Sequence, residues 1–126
     1  MNIHKSAEDY LEMILRLNEE KGYARSVDIA SGLSVSKPSV SVAMKNLRES
    51  GYIVMDKDSY ISLTDKGMEI ARNIYDRHKA LTEALIRIGV SPETAQEDAC
   101  KVEHDLSSDT FDAIKQVYSR YNSNEA

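Results

Sequence analysis

The chain has 126 residues, 41% of them hydrophobic and 29% charged, with a net charge of −5, and this composition is typical of a folded globular protein. Its apolar runs are too short for a membrane-spanning helix, the segment MNIHKSAEDY lacks the apolar stretch of a signal peptide, and a single cysteine cannot form an internal disulfide bond. We therefore expect a cytoplasmic protein, and the negative net charge argues against general affinity for nucleic acids.

The acidic charge is concentrated in the second half of the chain. Residues 1–75 carry ten Lys or Arg against eleven Asp or Glu, whereas residues 76–126 carry six against ten. A nearly neutral first half can still bind DNA through a local basic patch. The acidic second half would either repel DNA or hold cations.

The first fifty residues predict three helices. Apolar residues at helical spacing continue as far as Gly22, a short helix follows across RSVDIASGL, and a third lies within SVSVAMKNLRESG. Ser36 is placed to cap the third helix, with Pro38 in its first turn and Gly51 at its end. The spacing leaves one face of this helix outward, made of Ser39, Ser41, Val42, Lys45 and Asn46.

A β-hairpin and three more helices are predicted next. Two β-rich runs, at 52–56 and 60–63, flank a polar turn. A long helix runs from its cap at Thr64 to Gly89, another starts at Ser91, and the last follows the segment SSDT. The residues predicted to face inward on these helices are Met68, Ala71, Ile74, Tyr75, His78, Leu81, Leu85, Ile88, Ala95, Ala99, Val102, Leu106, Phe111, Ile114, Val117, Tyr118 and Tyr121.

The order of these elements is typical of a winged helix-turn-helix. We predict a mainly α protein, in which an N-terminal winged helix-turn-helix of three helices and a β-hairpin precedes an all-α dimerisation domain. Small polar groups and a cation at the start of the third helix suit phosphates and base edges in the major groove. The candidate DNA-binding residues are Ser36, Lys37, Pro38, Ser39, Ser41, Val42, Lys45 and, at the hairpin tip, Lys57. A module that mediates only protein contacts is the alternative.

The segment DACKVEHDL carries three potential metal ligands. On one continuous helix, Cys100, Glu103 and His104 would fall within an arc of about 100°. Thiolate, carboxylate and imidazole groups are all donors for first-row transition metals. A charged helix face that happens to contain the only cysteine would show the same pattern.

Other potential ligands lie on two other predicted helices. His78 is on the inward side of the long helix, where a lone histidine is more often a core residue than a ligand. Asp9 and Glu12 present two carboxylates on one face of the first helix, although acids near a helix N-terminus also complement the helix dipole. Because a small protein must pack these helices together, the combination favours a metal site.

Five segments, SAEDYLEMI, EEKGYARSVDIA, LTDKG, RHKAL and VEHDLS, occur in an order and at a spacing that cover nearly the whole chain. In these segments the sequence resembles the diphtheria-toxin-repressor family of iron- and manganese-dependent transcriptional repressors, most closely its short manganese transport regulator type. The resemblance implies a DNA-binding domain over 1–72 and a helical metal-binding and dimerisation domain over 73–126. It implies a homodimer that binds operator DNA when loaded with Mn²⁺ or Fe²⁺ and controls metal-uptake genes. The ligands that it implies, at the junction of the domains, are Asp9, Glu12, His78, Glu103 and His104.

One position departs from the manganese-type pattern, which has a glutamate where this chain has Cys100. The iron-type members carry a cysteine there, whereas Asp9 and Glu12 follow the manganese type. A thiolate favours Fe²⁺, Co²⁺ or Zn²⁺ over Mn²⁺ relative to a carboxylate. We expect Cys100 to join the ligands, with Mn²⁺ or Fe²⁺ as the physiological metal and Co²⁺ or Zn²⁺ as substitutes.

Three other functions remain as alternatives. A winged-helix regulator without metal would leave the acidic residues unexplained, and a redox-sensing regulator would use the thiol of Cys100. A Cys–His pair can also be nucleophilic, but no Gly-rich oxyanion loop accompanies Cys100 and His104. We expect no enzymatic activity, and neither a membrane nor a small organic substrate as a partner.

Overall fold

The computed structural model describes residues 5–125, apart from the side chains of Tyr118 and of residues 121–125. Over this range the chain forms six helices and one β-hairpin, which confirms the predicted mainly α fold with its winged helix-turn-helix. The elements are α1 (Lys5–Lys21), α2 (Ser26–Leu33), α3 (Lys37–Glu49), β1 (Ile53–Met55), β2 (Ile61–Leu63), α4 (Asp65–Arg87), α5 (Pro92–Val102) and α6 (Ser108–Glu125). The described residues divide into two compact units between Asn73 and Ile74.

The core of the first unit is made by the apolar faces of its three helices and its hairpin. Leu11 and Ile14 of α1, Ile29 of α2, Val40 of α3 and Ile61 of β2 are almost completely buried. The predicted outward face of α3 is exposed throughout. The helical spacing of apolar residues therefore decides which side of α3 is free to meet a partner.

Local signals set both ends of α3. The hydroxyl of Ser36 accepts a hydrogen bond from the backbone N–H of Ser39 at 3.2 Å, and Pro38 lies in the first turn. The helix ends at Glu49, and Gly51 follows with a φ of +83°, in the left-handed region where glycine is favoured. Both ends lie where the sequence predicts them.

The hairpin pairs β1 and β2 in antiparallel register, and its strands are shorter than the β-rich runs. The carboxylate of Asp56 accepts hydrogen bonds from the backbone N–H groups of Asp58 and Tyr60, each at 2.9 Å. The turn therefore begins at Asp56, the last residue of the first β-rich run. The N–H of Ile61 donates to the carbonyl of Ala24 at 2.8 Å. This bond ties the hairpin to the segment between α1 and α2.

The segment LTDKG forms the start of α4, and its threonine and glycine have specific structural roles there. The hydroxyl of Thr64 accepts a hydrogen bond from the N–H of Gly67 at 3.2 Å and donates to the carbonyl of Gly51 at 2.7 Å. A Cβ atom on Gly67 would overlap the carbonyl oxygen of Tyr52. Only glycine therefore allows the first turn of α4 to approach the hairpin backbone this closely.

In the second unit, serine caps set the starts of α5 and α6. The hydroxyl of Ser91 accepts from the N–H of Thr94 at 3.4 Å, and that of Ser107 accepts from the N–H of Thr110 at 3.1 Å. Between the two helices the prediction fails at one point, because α5 is shorter than expected.

Helix α5 ends just before Glu103, and 103–105 form a turn. Cys100 therefore lies on the helix while Glu103 and His104 lie beyond it, so the prediction of one helical arc for all three is wrong. The carbonyl oxygen of Glu103 accepts a hydrogen bond from the guanidinium of Arg77 at 3.1 Å. In a continuing helix, this carbonyl oxygen would instead accept a hydrogen bond from the backbone N–H of the residue four positions later.

Three apolar residues predicted to face inward are exposed instead. Ile88 is 78% exposed, Val117 60% and Val102 40%. Ile88 lies beyond the last residue of α4, and a unit of this size leaves apolar residues uncovered in a single chain. Tyr118 and Tyr121, also predicted inward, lie outside the described side chains. None of the helices within residues 5–125 is long and apolar enough to cross a membrane.

Candidate metal centre and DNA-binding surface

A buried carboxylate meets an imidazole in the second unit. Nδ1 of His78, on α4, lies 2.9 Å from Oε2 of Glu103. The side chain of Glu103 has no solvent exposure, and that of His78 is 13% exposed. Burial of a carboxylate is unfavourable unless a partner compensates it, so the imidazole stabilises Glu103 in this position.

Two further donor groups lie close to the same carboxylate. Nε2 of His104 is 3.3 Å from Oε1 of Glu103, and the His104 side chain is 2% exposed. Cys100 lies in the last turn of α5, exposed to solvent, and ligand atoms of Cys100, His78 and Glu103 all lie within 4.8 Å of one another. A thiolate, a carboxylate and imidazoles in one place fit a divalent first-row transition metal.

Arg77 is part of this region although the sequence did not single it out. Its Nη1 atom donates hydrogen bonds to the carbonyl oxygens of Glu103 at 3.1 Å and Leu106 at 3.2 Å. Its guanidinium lies 5.0 Å from the centre of the Phe111 ring. The only feature of the sequence that points to Arg77 is its position directly before His78 in the segment RHKAL. Its partners lie 26 and 29 residues away.

In the first unit, α1 carries the two predicted carboxylate ligands on one face. Asp9 is partly buried, and Glu12 is only 4% exposed. The favourable effect of a helix dipole falls off within the first turn, and Glu12 lies beyond that turn of a helix that includes Lys5. Dipole complementation therefore does not account for a buried carboxylate at Glu12.

The exposed face of α3 carries the predicted DNA-binding residues. Lys37, Pro38, Ser39, Ser41, Val42 and Lys45 are all exposed, as is the capping residue Ser36. The hydroxyl of Ser36 donates to that of Ser39 at 2.8 Å. No acidic residue occurs between Ile29 and Arg48. Although the net charge of the whole chain is negative, the segment from Ile29 to Arg48 therefore carries only positive charges.

Lys57 is exposed at the hairpin tip, and Arg25 holds that tip in place. Nη2 of Arg25 donates to the carbonyl of Asp58 at 2.8 Å, and the guanidinium lies 4.7 Å from the centre of the Tyr60 ring. The sequence did not single out Arg25 because its partner is 33 residues away. These contacts tie the residues next to Lys57 in the hairpin turn to the segment before α2.

Two family models match this chain. The N-terminal DNA binding domain of the iron dependent repressors matches residues 2–61, and their metal binding and dimerisation domain matches residues 64–125. The chain belongs to the iron-dependent repressor family. The resemblance to metal-dependent transcriptional repressors is thereby confirmed, and with it the expectation of a regulator that is not an enzyme.

Relatives of this iron-dependent repressor cover most of its length. The HTH-type transcriptional regulator MntR of Geobacillus kaustophilus is 40% identical over 120 residues, which are 95% of this chain and 85% of that protein. The MntR of Bacillus subtilis is 37% identical over 121 residues, 96% of this chain and 85% of that protein.

Solved structures share the fold. IdeR from T. acidophilum superposes with a TM-score of 0.81 and 26% identity, covering 94% of this chain and 55% of that one. A manganese-dependent transcriptional repressor in complex with manganese gives a TM-score of 0.81 and 25% identity, covering 90% of this chain and 52% of that one. This chain therefore spans about half the length of these two proteins.

Proposed function

We propose that this repressor binds operator DNA as a homodimer when it is loaded with Mn²⁺ or Fe²⁺, and that it controls metal-uptake genes. The proposed metal ligands are Asp9, Glu12, His78, Cys100, Glu103 and His104. The observation that carries the proposal is the group of His78, Cys100 and Glu103, whose ligand atoms lie within 4.8 Å of one another. This group falls in the segment matched by the metal binding and dimerisation model.

The identity of the metal depends on Cys100. Carboxylates and imidazoles accept either Mn²⁺ or Fe²⁺, whereas a thiolate is a softer donor and favours Fe²⁺. Co²⁺ and Zn²⁺ are expected to occupy the same ligands in vitro. The exposed position of Cys100 leaves its thiolate accessible to an ion that enters from solvent.

The ligands explain how metal can control DNA binding. These ligands would hold a divalent cation, which would supply positive charge that offsets the negative charge of their carboxylates. Asp9 and Glu12 belong to the first unit, and Glu103 belongs to the second. Ligands from both units that share an ion would restrict the range of orientations of the DNA-binding unit. A coupling free energy of roughly 1–3 kcal/mol between metal and DNA is the usual scale for such a population shift.

A homodimer would place two recognition helices on the same DNA duplex. Two recognition helices dock together when they are spaced by about 34 Å, one turn of DNA, or a multiple of it. The match of residues 64–125 to a metal binding and dimerisation domain supports this assembly, and Ile88 at 78% and Val117 at 60% exposure are apolar residues that a second copy could cover. Sedimentation of the full chain tests this point, since a monomer at micromolar concentration would contradict it.

The outward face of α3 is proposed to enter the major groove. The methyl groups of Val42 can contact a thymine methyl, and the hydroxyl of Ser41 can reach a base edge. Lys37, Lys45 and, from the hairpin tip, Lys57 would contact phosphates. Since the outward N-terminal half of α3 carries no arginine, DNA shape is expected to contribute much of the specificity.

The decisive experiment compares DNA binding with and without metal. Operator sequences are selected from a random duplex library in two parallel series, one with Mn²⁺ and one with chelator, and affinities are then measured by fluorescence anisotropy with Mn²⁺, anaerobic Fe²⁺ or chelator. We expect tight, sequence-specific binding only with metal. Equal affinity in chelator and in metal would refute the proposed function.

A further inference from the structure

Arg77 joins three elements of the second unit through one side chain. It lies on α4 directly before His78, donates from Nη1 to the carbonyls of Glu103 and Leu106 at 3.1 and 3.2 Å, and lies 5.0 Å from the ring of Phe111 on α6. The guanidinium therefore connects α4 to both ends of the segment that carries Glu103 and His104, and to the start of the next helix.

The turn at 103–105 depends on such contacts for its conformation. Glu103 is the C-cap of α5, and the N–H of Asp105 donates to the carbonyl of Val102 at 3.0 Å. Residues in a turn are not held by the repeating bonds of a helix or a strand. Hydrogen bonds from a charged donor are roughly twice as strong as those between neutral groups, so Arg77 is well suited to hold the backbone from which the Glu103 and His104 side chains extend.

We infer that Arg77 is a positioning residue for the metal site: it preorganises Glu103 and His104 before metal binds. This inference rests on the proposed metal-binding function. His78 and Arg77 are neighbours on α4, so the helix that carries the imidazole also holds the backbone of its carboxylate partner. Nδ1 of His78 and Oε2 of Glu103 lie 2.9 Å apart in this arrangement.

The sign of the effect separates positioning from simple electrostatics. The guanidinium is a positive charge close to a cation site, so its removal would strengthen metal binding if charge were its only contribution. Removal weakens metal binding if Arg77 acts by positioning. Loss of an outer-shell partner of a metal ligand typically lowers metal affinity by about 10–100-fold, and we expect this range for Arg77→Met.

The test is a Co²⁺ titration of the full chain, followed by thiolate and d–d absorption bands, on three variants. Arg77→Met should bind Co²⁺ about 10–100-fold more weakly than the unaltered chain, and Arg77→Lys, which keeps the charge and a donor, should recover part of this loss. Lys79→Met removes the same charge from an exposed position on the same helix and should bind Co²⁺ as tightly as the unaltered chain.

Hydrogen exchange of the metal-free chain gives an independent readout. Amides at 103–107 should exchange faster in Arg77→Met than in Lys79→Met, with circular dichroism unchanged. Equal or tighter Co²⁺ binding by Arg77→Met, alongside normal binding by the unaltered chain, would overturn the role of Arg77 alone. No Co²⁺ binding by the unaltered chain would overturn the proposed function and this role together. If Arg77→Met does not fold, Arg77→Lys decides the question. Co²⁺ affinity and amide exchange at 103–107 that equal those of the unaltered chain would then overturn the positioning role of Arg77.

Discussion

His78 and Glu103 lie 25 positions apart in the chain, and their side chains meet at 2.9 Å with the carboxylate fully buried. The two side chains come from different parts of the second unit, α4 for the imidazole and the turn after α5 for the carboxylate. The second oxygen of Glu103 lies 3.3 Å from His104. One carboxylate thus lies between two imidazoles, which makes Glu103 the central ligand of the proposed site.

Glu103→Gln should therefore have the largest effect on metal affinity among single substitutions of the second unit. The amide keeps the shape of the side chain but removes the charge and one strong donor oxygen. We expect a loss greater than the roughly 10–100-fold that is typical of outer-shell changes, measured by calorimetry with Mn²⁺ and Co²⁺. Glu97→Gln, at an exposed position of α5, is the matched control and should bind as the unaltered chain does. A loss of less than tenfold in Glu103→Gln would count against a central role.

Cys100→Glu should shift metal preference toward Mn²⁺. A carboxylate is a harder donor than a thiolate, so the ratio of Mn²⁺ to Co²⁺ affinity is expected to rise. Competition titrations on one protein preparation measure this ratio directly. Cys100→Ser removes the thiolate without adding a carboxylate, and it should weaken Co²⁺ binding without strengthening Mn²⁺ binding. An unchanged ratio in Cys100→Glu would show that Cys100 is not a ligand.

Lys45→Ala should weaken DNA binding without changing sequence preference. A lysine that contacts a phosphate contributes about one unit to the slope of log affinity against log salt, and that slope should fall by about one. Lys115→Ala, at an exposed position of α6, removes an equal charge from the second unit and should leave the slope unchanged. Identical slopes for the Lys45 and Lys115 variants would exclude this contact.

Gly67→Ala should destabilise the first unit. The new Cβ atom would overlap the backbone oxygen of Tyr52, and backbone cannot move aside as a side chain can. Overpacking of this kind costs about 1–3 kcal/mol, and we expect the upper end of that range in urea unfolding. Gly32→Ala is the matched control, because its Cβ would meet only the flexible end of Met13 and alanine favours a helix by about 1 kcal/mol. Comparable losses in both variants would contradict this account.

Interactions between residues close together in the chain determined the helix ends and the buried helix face described for the first unit. The cap at Ser36, the proline at position 38 and the glycine at position 51 act within a few residues, and they set the ends of α3 through local hydrogen bonds and backbone conformation. The spacing of Val40, Met44 and Leu47 decided the buried face of that helix. Composition and spacing also drew attention to the six proposed metal ligands, because the donor chemistry of a side chain does not depend on the fold.

Only the tertiary structure decided where α5 ends and what surrounds Glu103. Ser107 locally marks the start of α6, but nothing in the preceding stretch VEHDL marks the end of α5, since it contains neither glycine nor proline. The turn at 103–105 is held by Arg77, whose contacts reach 26 and 29 residues along the chain. The wing depends in the same way on Arg25, 33 residues from Asp58. A local pattern indicates which side chains have the chemistry to bind metal or phosphate, whereas the hydrogen bonds of Arg77 and Arg25 to distant backbone carbonyls form only in the folded protein.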